Sequence, residues 1–581
     1  MNHTYPVYTI EAECQDCYKC VRHCPVKAIQ VRDGHAAVIP EMCVACGNCV
    51  EVCPVKAKQV RNGTGRARRL LAETVPVYVS LAPSWVSEFR GVSAAQLVRA
   101  LKELGVAGVS ETALGAQLVS AEIARELDGG SPGLLLSSAC PTSVDFIRKY
   151  LPELAGRITP VASPLIAHCR LLRDTFGENI RTIFIGPCIA KKNESDRHPD
   201  LLNLALTYPE LRQLFREEGI DPARVTPRAE DSFVPEAAEE GARYPIEGGM
   251  NDTIAFQTRN RKVHYVTLSG LENIDLALSG IRELPKGETV FVEMLACHGG
   301  CVHGPCAEHD SPGLLERLRV LNYARLPEQP RRRTAKGGIG DDFPAAAFEP
   351  PVPGINEIAA ALRSIGKNSP EDELNCDGCG YDTCRNFAQA LLAGRAEPSM
   401  CVSYLKKQAQ KKANALLRSI SSAVVITDKK LQIIECNRNF AALFGEDTLE
   451  AFDACPGLAG ADLKRIVPFA GLFASSLQSG HDVRRDSLKV GKRLYNLNIF
   501  NIEPREVVGA VIFDVTNTEM RREQIAARAR EVIDRNLATV QEIACRLGEQ
   551  MADTELLLRS IADNYADETP EDGGQREKSE S

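Results

Sequence analysis

The chain has 581 residues, of which 25% are charged, and its formal net charge at pH 7 is −8. This length predicts about three to five domains. The acidic balance offers no basic field for nucleic acid or anionic lipid, so neither is an expected partner. No apolar run approaches the ~18 residues of a membrane span. The N-terminal residues lack a signal pattern, so we expect a cytoplasmic location.

The cysteine content is high, with 21 cysteines in the chain. The cytoplasm keeps thiols reduced, so disulfides are not expected in a protein located there. The thiols are therefore interpreted first as ligands of metal ions or iron–sulfur clusters.

Two segments in residues 1–65 repeat one cysteine pattern, C-x2-C-x2-C-x3-C-P. In such a run the fourth cysteine ligates the other of two 4Fe–4S clusters. One predicted quartet is Cys14, Cys17, Cys20 and Cys53, and the other is Cys43, Cys46, Cys49 and Cys24. Zinc knuckles are the alternative, but zinc sites do not exchange ligands in this way. The segment resembles a bacterial two-cluster ferredoxin, which implies electron transfer.

Residues 76–325 alternate apolar, strand-like runs with segments of helical periodicity. The strand-like runs are VPVYVSLAP, GLLLSSAC, RTIFIGPC, KVHYVTLSG and TVFVEMLAC. Strands that alternate with helices predict an α/β layered core.

Three of these runs end at a cysteine, which places Cys140, Cys188, Cys297 and Cys301 after strands. Ligands at the carboxyl ends of α/β strands converge in one crevice. Four soft thiolates at one place suit an iron–sulfur cluster. The adjacent glycines of CHGGC would let the backbone pass close to it.

The segments SSACP, GPCIAKK and EMLACHGGC resemble, in order, the three active-site signatures of the FeFe hydrogenases. The resemblance covers roughly residues 1–325. It implies an H-cluster, in which a 4Fe–4S cube is bridged by a cysteine sulfur to a two-iron site carrying CO, cyanide and a dithiolate. By motif, Cys140, Cys188, Cys297 and Cys301 hold the cube, and Cys301 forms the bridge.

The same resemblance implies residues around the two-iron site. Lys191 matches the family lysine that donates a hydrogen bond to a cyanide, and an ammonium suits a small anionic ligand. Pro83 and Ser84 match the segment near the other cyanide, and Pro187 matches a proline of the pocket. Residues 248–250, Gly-Gly-Met, resemble the family's GGVM stretch.

The departures from the family pattern concern proton transfer and packing. Ala139 stands where active members have a cysteine that relays protons, and a methyl group cannot replace a thiol of pKa ~8.5. Gly186 and Leu295 stand where methionines pack the two-iron site. Glu122 and Glu126 match the family's proton-path glutamates only in part. Slow turnover, as in the sensory (group C) branch, is the resulting expectation.

A third cysteine group, Cys376, Cys379, Cys384 and Cys401, has the spacing C-x2-C-x4-C-x16-C. It resembles a 4Fe–4S module of corrinoid proteins and sensory hydrogenases, and four-cysteine zinc ligation is the alternative. We place this module at residues 366–410, after a linker at residues 326–365 that is rich in proline, glycine and charge.

The sequence pattern of residues 413–520 predicts a small α+β module. The order of its elements resembles that of a PAS domain. Residues 521–565 have apolar positions at spacings of three and four, which predicts an amphipathic or coiled-coil helix. Residues 566–581 have the composition of a disordered tail. A PAS module implies a ligand, which the sequence does not identify, or a protein contact such as a homodimer through this module and helix.

Three functions are compatible with these features. The first is a hydrogen-sensing FeFe hydrogenase of low turnover. The second is an ordinary catalytic hydrogenase in an electron-transfer complex, which Ala139 disfavours. The third is a non-catalytic iron–sulfur scaffold without the two-iron site, which Lys191 and LAPSW disfavour. The expected partners are hydrogenase maturation proteins, a ferredoxin-like redox partner and, since no output enzyme follows the PAS-like part, a kinase or phosphatase.

Overall fold

The structure is a computed structural model. It describes residues 5–516, except 131, 132, 282, 283, 286, 330, 331, 350, 351 and 492, together with residues 532, 533, 535 and 536. The chain divides into two compact units, Met1–Cys401 and Val402–Ser581. Apart from those last four positions, the predicted helix at 521–565 and the tail at 566–581 lie outside the described residues. No helix in the described part is long and apolar enough to span a membrane.

The N-terminal module contains two small antiparallel sheets and three short helices. Its elements are β1 (Val7–Thr9), α1 (Lys19–Arg22), β2 (Ile29–Arg32), β3 (His35–Val38), α2 (Asn48–Glu51), β4 (Lys58–Val60) and α3 (Thr64–Leu71). Strand β1 pairs with β4, and β2 pairs with β3. The one-turn helices α1 and α2 each carry the third cysteine of a repeat, and Cys20 and Cys49 are buried.

The central domain is built on parallel strands connected by helices. Its elements are β5 (Val77–Leu81), α4 (Trp85–Glu88), α5 (Ala94–Glu103), β6 (Gly108–Glu111), α6 (Ala113–Asp128), β7 (Gly133–Leu136), α7 (Pro141–Tyr150), α8 (Pro164–Phe176), β8 (Arg181–Gly186), α9 (Lys191–Arg197), β9 (Leu204–Thr207), α10 (Tyr208–Glu217), α11 (Gly249–Gln257), β10 (Val263–Ser269), α12 (Leu271–Leu278), β11 (Thr289–Leu295) and α13 (Gly313–Tyr323). All five strand-like runs form strands, and the α/β prediction is confirmed.

These strands form two sheets, in which every neighbouring pair is parallel. One has the order β6-β5-β8-β9, and the other has the order β10-β11-β7. The strands that precede the cysteines come from both sheets, because β8 belongs to the first and β7 and β11 to the second. The carboxyl ends of parallel strands are where such folds place their ligands. The division into two sheets is a feature that the alternation of elements did not predict.

The segment predicted as a linker, residues 326–365, is partly packed on folded domains. It is therefore not a free linker over its whole length. Arg332 donates a hydrogen bond to Asp128 at 2.9 Å, and Ile339 is buried in the core of the central domain. Helix α14 (Ile355–Ser364) packs against the helix of the third cysteine group. The prediction failed because proline and glycine content does not reveal ion pairs or a buried isoleucine.

The third cysteine group is carried by α15 (Cys384–Leu392) and the loops around it. It packs on the N-terminal module, where the Val31 amide donates to the Arg395 carbonyl at 2.9 Å. A Cβ at Gly380 would lie 2.9 Å from Val21 Cγ1, so glycine permits the close approach of the two modules.

The second unit is α+β, as predicted. It contains α16 (Val402–Ser419), β12 (Ala423–Asp428), β13 (Ile433–Cys436), α17 (Arg438–Leu443), α18 (Glu446–Ala454), α19 (Ala470–Ser479), β14 (Val483–Val490), β15 (Arg493–Glu503) and β16 (Val507–Asp514). The antiparallel sheet has the order β13-β12-β16-β15-β14. The predicted boundaries at 410 and 413 both fall inside α16, which begins where the second unit begins and lies wholly within it.

Candidate functional site

The four cysteines at the strand ends line one small cavity of about 20 Å³. Cys140 follows β7, Cys188 follows β8, and Cys297 and Cys301 follow β11. Gly300, between the last two, has φ +96°, and a Cβ there would lie 2.5 Å from the Pro245 carbonyl oxygen. The loop therefore requires glycine at that position. The structure brings together the four thiols that the sequence analysis grouped.

A second cavity of about 100 Å³ lies beside the first and shares Cys140, Cys188 and Cys301 with it. A single water occupies about 10–15 Å³ on this measure, so the cavity can hold a ligand of several atoms. The predicted pocket residues Pro83, Ser84, Ala139, Pro187, Lys191, Met250 and Leu295 all line it. The structure thus places beside the thiols a cavity that the sequence could not show.

Lys191 is a charged group in the wall of the second cavity. It is the first residue of α9, its side chain is 11% exposed, and its Nζ lies 2.5 Å from Glu194 Oε2. Burial lowers the pKa of Lys191, but the charges of Glu194 and Cys188 outweigh that effect, and the pKa is raised. The Lys191 ammonium, which also donates to Ser163 Oγ at 3.3 Å, is therefore held protonated.

Ser84 is another residue of the cavity wall, and one hydrogen bond holds its side chain in place. It is 2% exposed, and its Oγ shares a hydrogen bond of 2.7 Å with the Tyr208 hydroxyl. Ser84 directly precedes α4, so Pro83 and Ser84 form the turn that follows β5. This turn gives the cavity a rigid wall.

The methionine that the family resemblance implies at position 186 would not fit this protein. A Cβ at Gly186 would lie 2.5 Å from Phe184 Cζ and 2.8 Å from Ala82 Cβ. Phe184 itself lines the cavity, as does Met294, and the sequence analysis predicted neither. The ring of Phe184, two residues earlier on β8, therefore fills the space that a side chain at position 186 would need.

Glu293 is a further lining residue that the sequence analysis missed. It is 1% exposed, and its carboxylate accepts hydrogen bonds from the Met250 amide and the Thr267 hydroxyl, each at 3.1 Å. Burial raises the pKa of Glu293 to about 7, although these hydrogen bonds oppose the shift. The available signal was a charged residue in the middle of the apolar run FVEML.

The N-terminal thiols form the two groups that the repeat predicts. Burial raises the pKa of the Cys20 thiol, and the neighbours that raise it further are Cys17, Cys14 and Cys53. Burial likewise raises the pKa of Cys46, and the neighbours that raise it further are Cys24, Cys49 and Cys43. The fourth cysteine of each repeat therefore lies with the other repeat.

The second of these quartets borders the cavity of the central domain. Cys46 lines the 20 Å³ cavity together with the four strand-end thiols. Gly47 makes this approach possible, since a Cβ there would lie 2.4 Å from Pro305 Cβ. Lys149 Nζ donates to the Cys43 carbonyl at 2.8 Å. The two sites are therefore adjacent and tied by direct contacts.

Three of the four cysteines of the third group are neighbours. Burial raises the pKa of Cys379 to about 11, and its neighbours Cys401 and Cys376 add to the shift. Cys384 is the first residue of α15, and its amide donates to Asn375 Oδ1 at 2.8 Å.

Zinc ligation requires closely spaced sulfurs. Ligands of a tetrahedral zinc ion, with Zn–S about 2.3 Å, place their sulfurs roughly 4 Å apart. Among the described residues, the potential ligand group within 4.8 Å is Cys14, Asp16 and His35, and no three thiols come that close. The described residues therefore hold no set of three thiols already as close together as the ligands of one zinc ion.

Glu122 and Glu126 lie on α6 and line a separate cavity of about 580 Å³. Burial and the neighbouring Glu122 raise the pKa of Glu126. The structure does not bring this pair to the thiol-lined cavities.

Three family models match parts of the chain. Residues 75–305 match "Iron only hydrogenase large subunit, C-terminal domain". This part of the chain is therefore similar to that hydrogenase domain. Residues 6–54 match "4Fe-4S dicluster domain", and residues 372–403 match "Putative Fe-S cluster". The hydrogenase-related domain thus lies between two iron–sulfur modules.

Two curated hydrogenases are similar to this chain. Iron hydrogenase 1 of Clostridium pasteurianum is 25% identical over 272 residues, which cover 39% of this chain and 47% of that protein. The periplasmic Fe hydrogenase large subunit of Nitratidesulfovibrio vulgaris, strain Hildenborough, is 27% identical over 384 residues, 55% of this chain and 90% of that protein. The chain thus spans about half the length of the first relative.

A solved structure of a variant FeFe hydrogenase from Chlamydomonas reinhardtii is 18% identical in sequence. The alignment covers 50% of this chain and 100% of that chain, with a TM-score of 0.39.

Proposed function

We propose that this chain is a hydrogen-sensing FeFe hydrogenase of low turnover, with an H-cluster in the two cavities of the central domain. Cys140, Cys188, Cys297 and Cys301 would hold the cube, and Cys301 would also reach the two-iron site. This group, when bound, supplies the interconversion of hydrogen with protons and electrons. The observation that carries the proposal is the methyl group of Ala139 in the cavity wall. The other lining residues, such as Lys191, suit an H-cluster.

The residues of the cavity support binding of a two-iron unit. Lys191 offers a protonated ammonium to an anionic ligand, and Glu194 holds that ammonium in place. The wall contributed by Phe184, Leu295 and Met294 is apolar and keeps water away. These features favour a filled pocket over a scaffold that binds only cubes.

The same wall lacks a fast route for protons at position 139. A thiol can exchange a proton near neutral pH, whereas a methyl group cannot. Positioned acid–base groups contribute roughly 10²–10⁴-fold to a rate, so their absence slows turnover without preventing binding. Slow turnover favours a sensor over an ordinary catalyst.

The cysteine modules provide a route for electrons out of the central domain. Cys46 borders the cavity of the strand-end thiols, and the third quartet packs on the same N-terminal module. The second unit, with its five-stranded sheet, we assign as a PAS module that passes the redox state to a partner. The partner, a kinase or phosphatase in this proposal, would supply the output.

The experiment is a hydrogen assay on the full chain after treatment with FeFe hydrogenase maturation proteins. We expect the iron–sulfur clusters to become reduced under hydrogen, with a turnover far below that of a bulk hydrogenase measured in parallel. Turnover equal to the bulk enzyme would refute the sensory role. Clusters that stay oxidised under hydrogen in a fully matured sample would refute hydrogen chemistry altogether.

A further inference from the structure

The first cysteine loop of the N-terminal module lies against the turn between β2 and β3. Asp16 is in this loop, between Cys14 and Cys17, and has φ +49°. A Cβ at Gly34 in the turn would lie 2.7 Å from Asp16 Oδ2. The loop and the turn are therefore in close contact, and glycine at position 34 leaves room for the carboxylate.

His35 follows that turn as the first residue of β3, and its backbone is held by neighbouring strands. It pairs in register with Arg32 of β2. The carbonyl oxygen of the next residue, Ala36, accepts hydrogen bonds from the Thr9 hydroxyl at 2.8 Å and from Lys58 Nζ at 2.6 Å. Contacts with β1, β2 and β4 therefore fix the place from which the imidazole extends.

Three potential metal ligands meet between the loop and the turn. Cys14 Sγ, a carboxylate oxygen of Asp16 and a ring nitrogen of His35 all lie within 4.8 Å of one another. Donor atoms that share one metal ion lie roughly 3–4 Å apart, so a small side-chain movement would bring these groups to the same ion. A metal ion bound by Cys14 would thus have an oxygen and a nitrogen donor beside it.

His35 has an unused donor atom at this place. Its Nδ1 is buried and has no hydrogen-bond partner among the described residues. Buried polar atoms normally have a partner, so this nitrogen calls for one. Asp16 is exposed, so water can solvate its carboxylate. Imidazole nitrogen also replaces cysteine sulfur on iron in Rieske centres, which makes His35 the better candidate ligand of the two.

We propose that His35 is a reserve ligand for the iron that Cys14 holds in the cluster of the first N-terminal quartet. In the exchange, the bond between iron and the Cys14 sulfur breaks, and a bond between iron and a His35 ring nitrogen forms. The Cys14 thiolate leaves with its electron pair and takes a proton from water, so no electron is transferred. Cys14 and His35 are both partly exposed, which gives water access to the exchange.

The two ligand sets give the cluster different charges. In the second set a neutral imidazole replaces one of four thiolates, so the cluster is less negative and easier to reduce. Histidine ligation raises the potential of Rieske centres in the same sense. The inference rests on a 4Fe–4S cluster in the first quartet and does not depend on hydrogen chemistry. A protein that shows the exchange but no hydrogen activity would refute the proposed function alone.

The test compares Cys14→Ala with Cys17→Ala in the full chain, with the clusters reconstituted in thiol-free buffer. Cys17 is the matched control, because it belongs to the same quartet and lies outside the described group of Cys14, Asp16 and His35. We expect Cys14→Ala to keep a four-iron cluster. Cys17→Ala should show the electron paramagnetic resonance signal of an oxidised three-iron cluster or lose about four iron atoms.

Two results of this comparison would overturn the proposal. Four-iron clusters in both variants would show that water suffices as the fourth ligand. A three-iron cluster in Cys14→Ala, or loss of its first cluster, would show that His35 does not replace the thiolate.

Pulsed electron paramagnetic resonance identifies the replacing ligand. The reduced cluster of Cys14→Ala should show the nitrogen coupling of a bound imidazole, and its reduction equilibrium should favour the reduced form by a factor of about ten over the parent, which is about 59 mV for one electron. The double variant Cys14→Ala/His35→Gln should lose both the coupling and the fourth iron. A four-iron cluster in the double variant would assign the ligand to Asp16 or water and would overturn the proposal.

His35→Gln alone separates a reserve ligand from a residue that the module needs in order to fold. With Cys14 present, this variant should keep the first cluster and its parent potential. Loss of the first cluster from the single variant would overturn the proposal, because His35 would then support the parent site instead of replacing Cys14.

Discussion

Lys191 and Glu194 form an ion pair in the wall of the larger cavity, with 2.5 Å between Nζ and Oε2. The two residues are one helical turn apart on α9, which starts three residues after Cys188. The sequence motif that supplies a thiol thus also supplies a positioned ammonium. This link between a ligand and a charged group is the basis of the first prediction.

Lys191→Met should abolish loading of the two-iron unit and leave the cube in place. Removal of the ammonium leaves an anionic ligand without a donor and leaves Glu194 buried without a partner, which costs about 3–5 kcal/mol. Infrared bands of CO and cyanide should be absent after maturation, with iron retained in the thiol quartets. Lys56→Met is the control, because Lys56 is an exposed lysine of the N-terminal module. Full bands in Lys191→Met would contradict the assignment.

Ala139→Cys should raise hydrogen turnover by about tenfold or more, since a positioned acid–base group contributes roughly 10²–10⁴-fold. Position 139 lines the cavity, so the new thiol could exchange protons with a group bound in it. Ala139→Ser is the matched control, because its hydroxyl is similar in size and does not exchange a proton as a thiol does. Equal rates in both variants would show that the missing thiol is not the cause of slow turnover.

Glu293 predicts a specific pH dependence of stability in the metal-free protein. Its folded pKa of about 7 exceeds the ordinary value of 4.5, so its contribution is fully present below pH 4.5 and is lost as the pH rises through 7. The loss is about 3 kcal/mol. We expect the unfolding temperature of the parent to fall between about pH 5 and about pH 8. Glu293→Gln should flatten that fall. Exposed Glu153→Gln should leave the curve unchanged; a parallel curve for Glu293→Gln would be evidence against this shift.

Gly300→Ala should lower iron retention at the strand-end quartet. The new Cβ would meet the Pro245 carbonyl, and φ of +96° is unfavourable for alanine. Gly91→Ala separates the two effects, because Gly91 has φ +73° and open space around it. We expect Gly91→Ala to cost about 1 kcal/mol of stability and to keep its iron. Similar iron content in the two variants would argue that the close contact does not matter.

Cys379→Ala should remove the third cluster, with a loss of about four iron atoms per chain. Cys455→Ala is the control, since Cys455 is an exposed thiol outside the three quartet modules. Metal analysis of both variants decides the result. Loss of one zinc atom in place of iron would support the zinc alternative for this module.

Local spacing predicted much of the site. Each N-terminal quartet follows from three cysteines on one tight loop and the fourth cysteine of the other repeat, and the strand-end cysteines follow from strands of the same α/β core. The order of those strands was not predictable, because parallel pairing joins segments that are distant in the chain. The approach of Cys46 to the cavity of the central domain depends on such packing.

Charged groups inside the fold were the features that sequence alone could not place. Lys58 and Glu293 look like ordinary residues of a strand, and only tertiary packing shows that each is almost completely buried. Phe184 fills the space of an expected methionine at position 186 because its ring reaches across the neighbouring residue. The identity of the PAS-like module and its partner stays a prediction.

The central claim is that the cavity beside the four strand-end cysteines holds a two-iron unit. The most direct measurement is the infrared spectrum of the full chain after maturation. We predict bands of iron-bound CO and cyanide that change between samples kept under hydrogen and under inert gas. A sample with complete iron–sulfur loading and no such bands would contradict the claim.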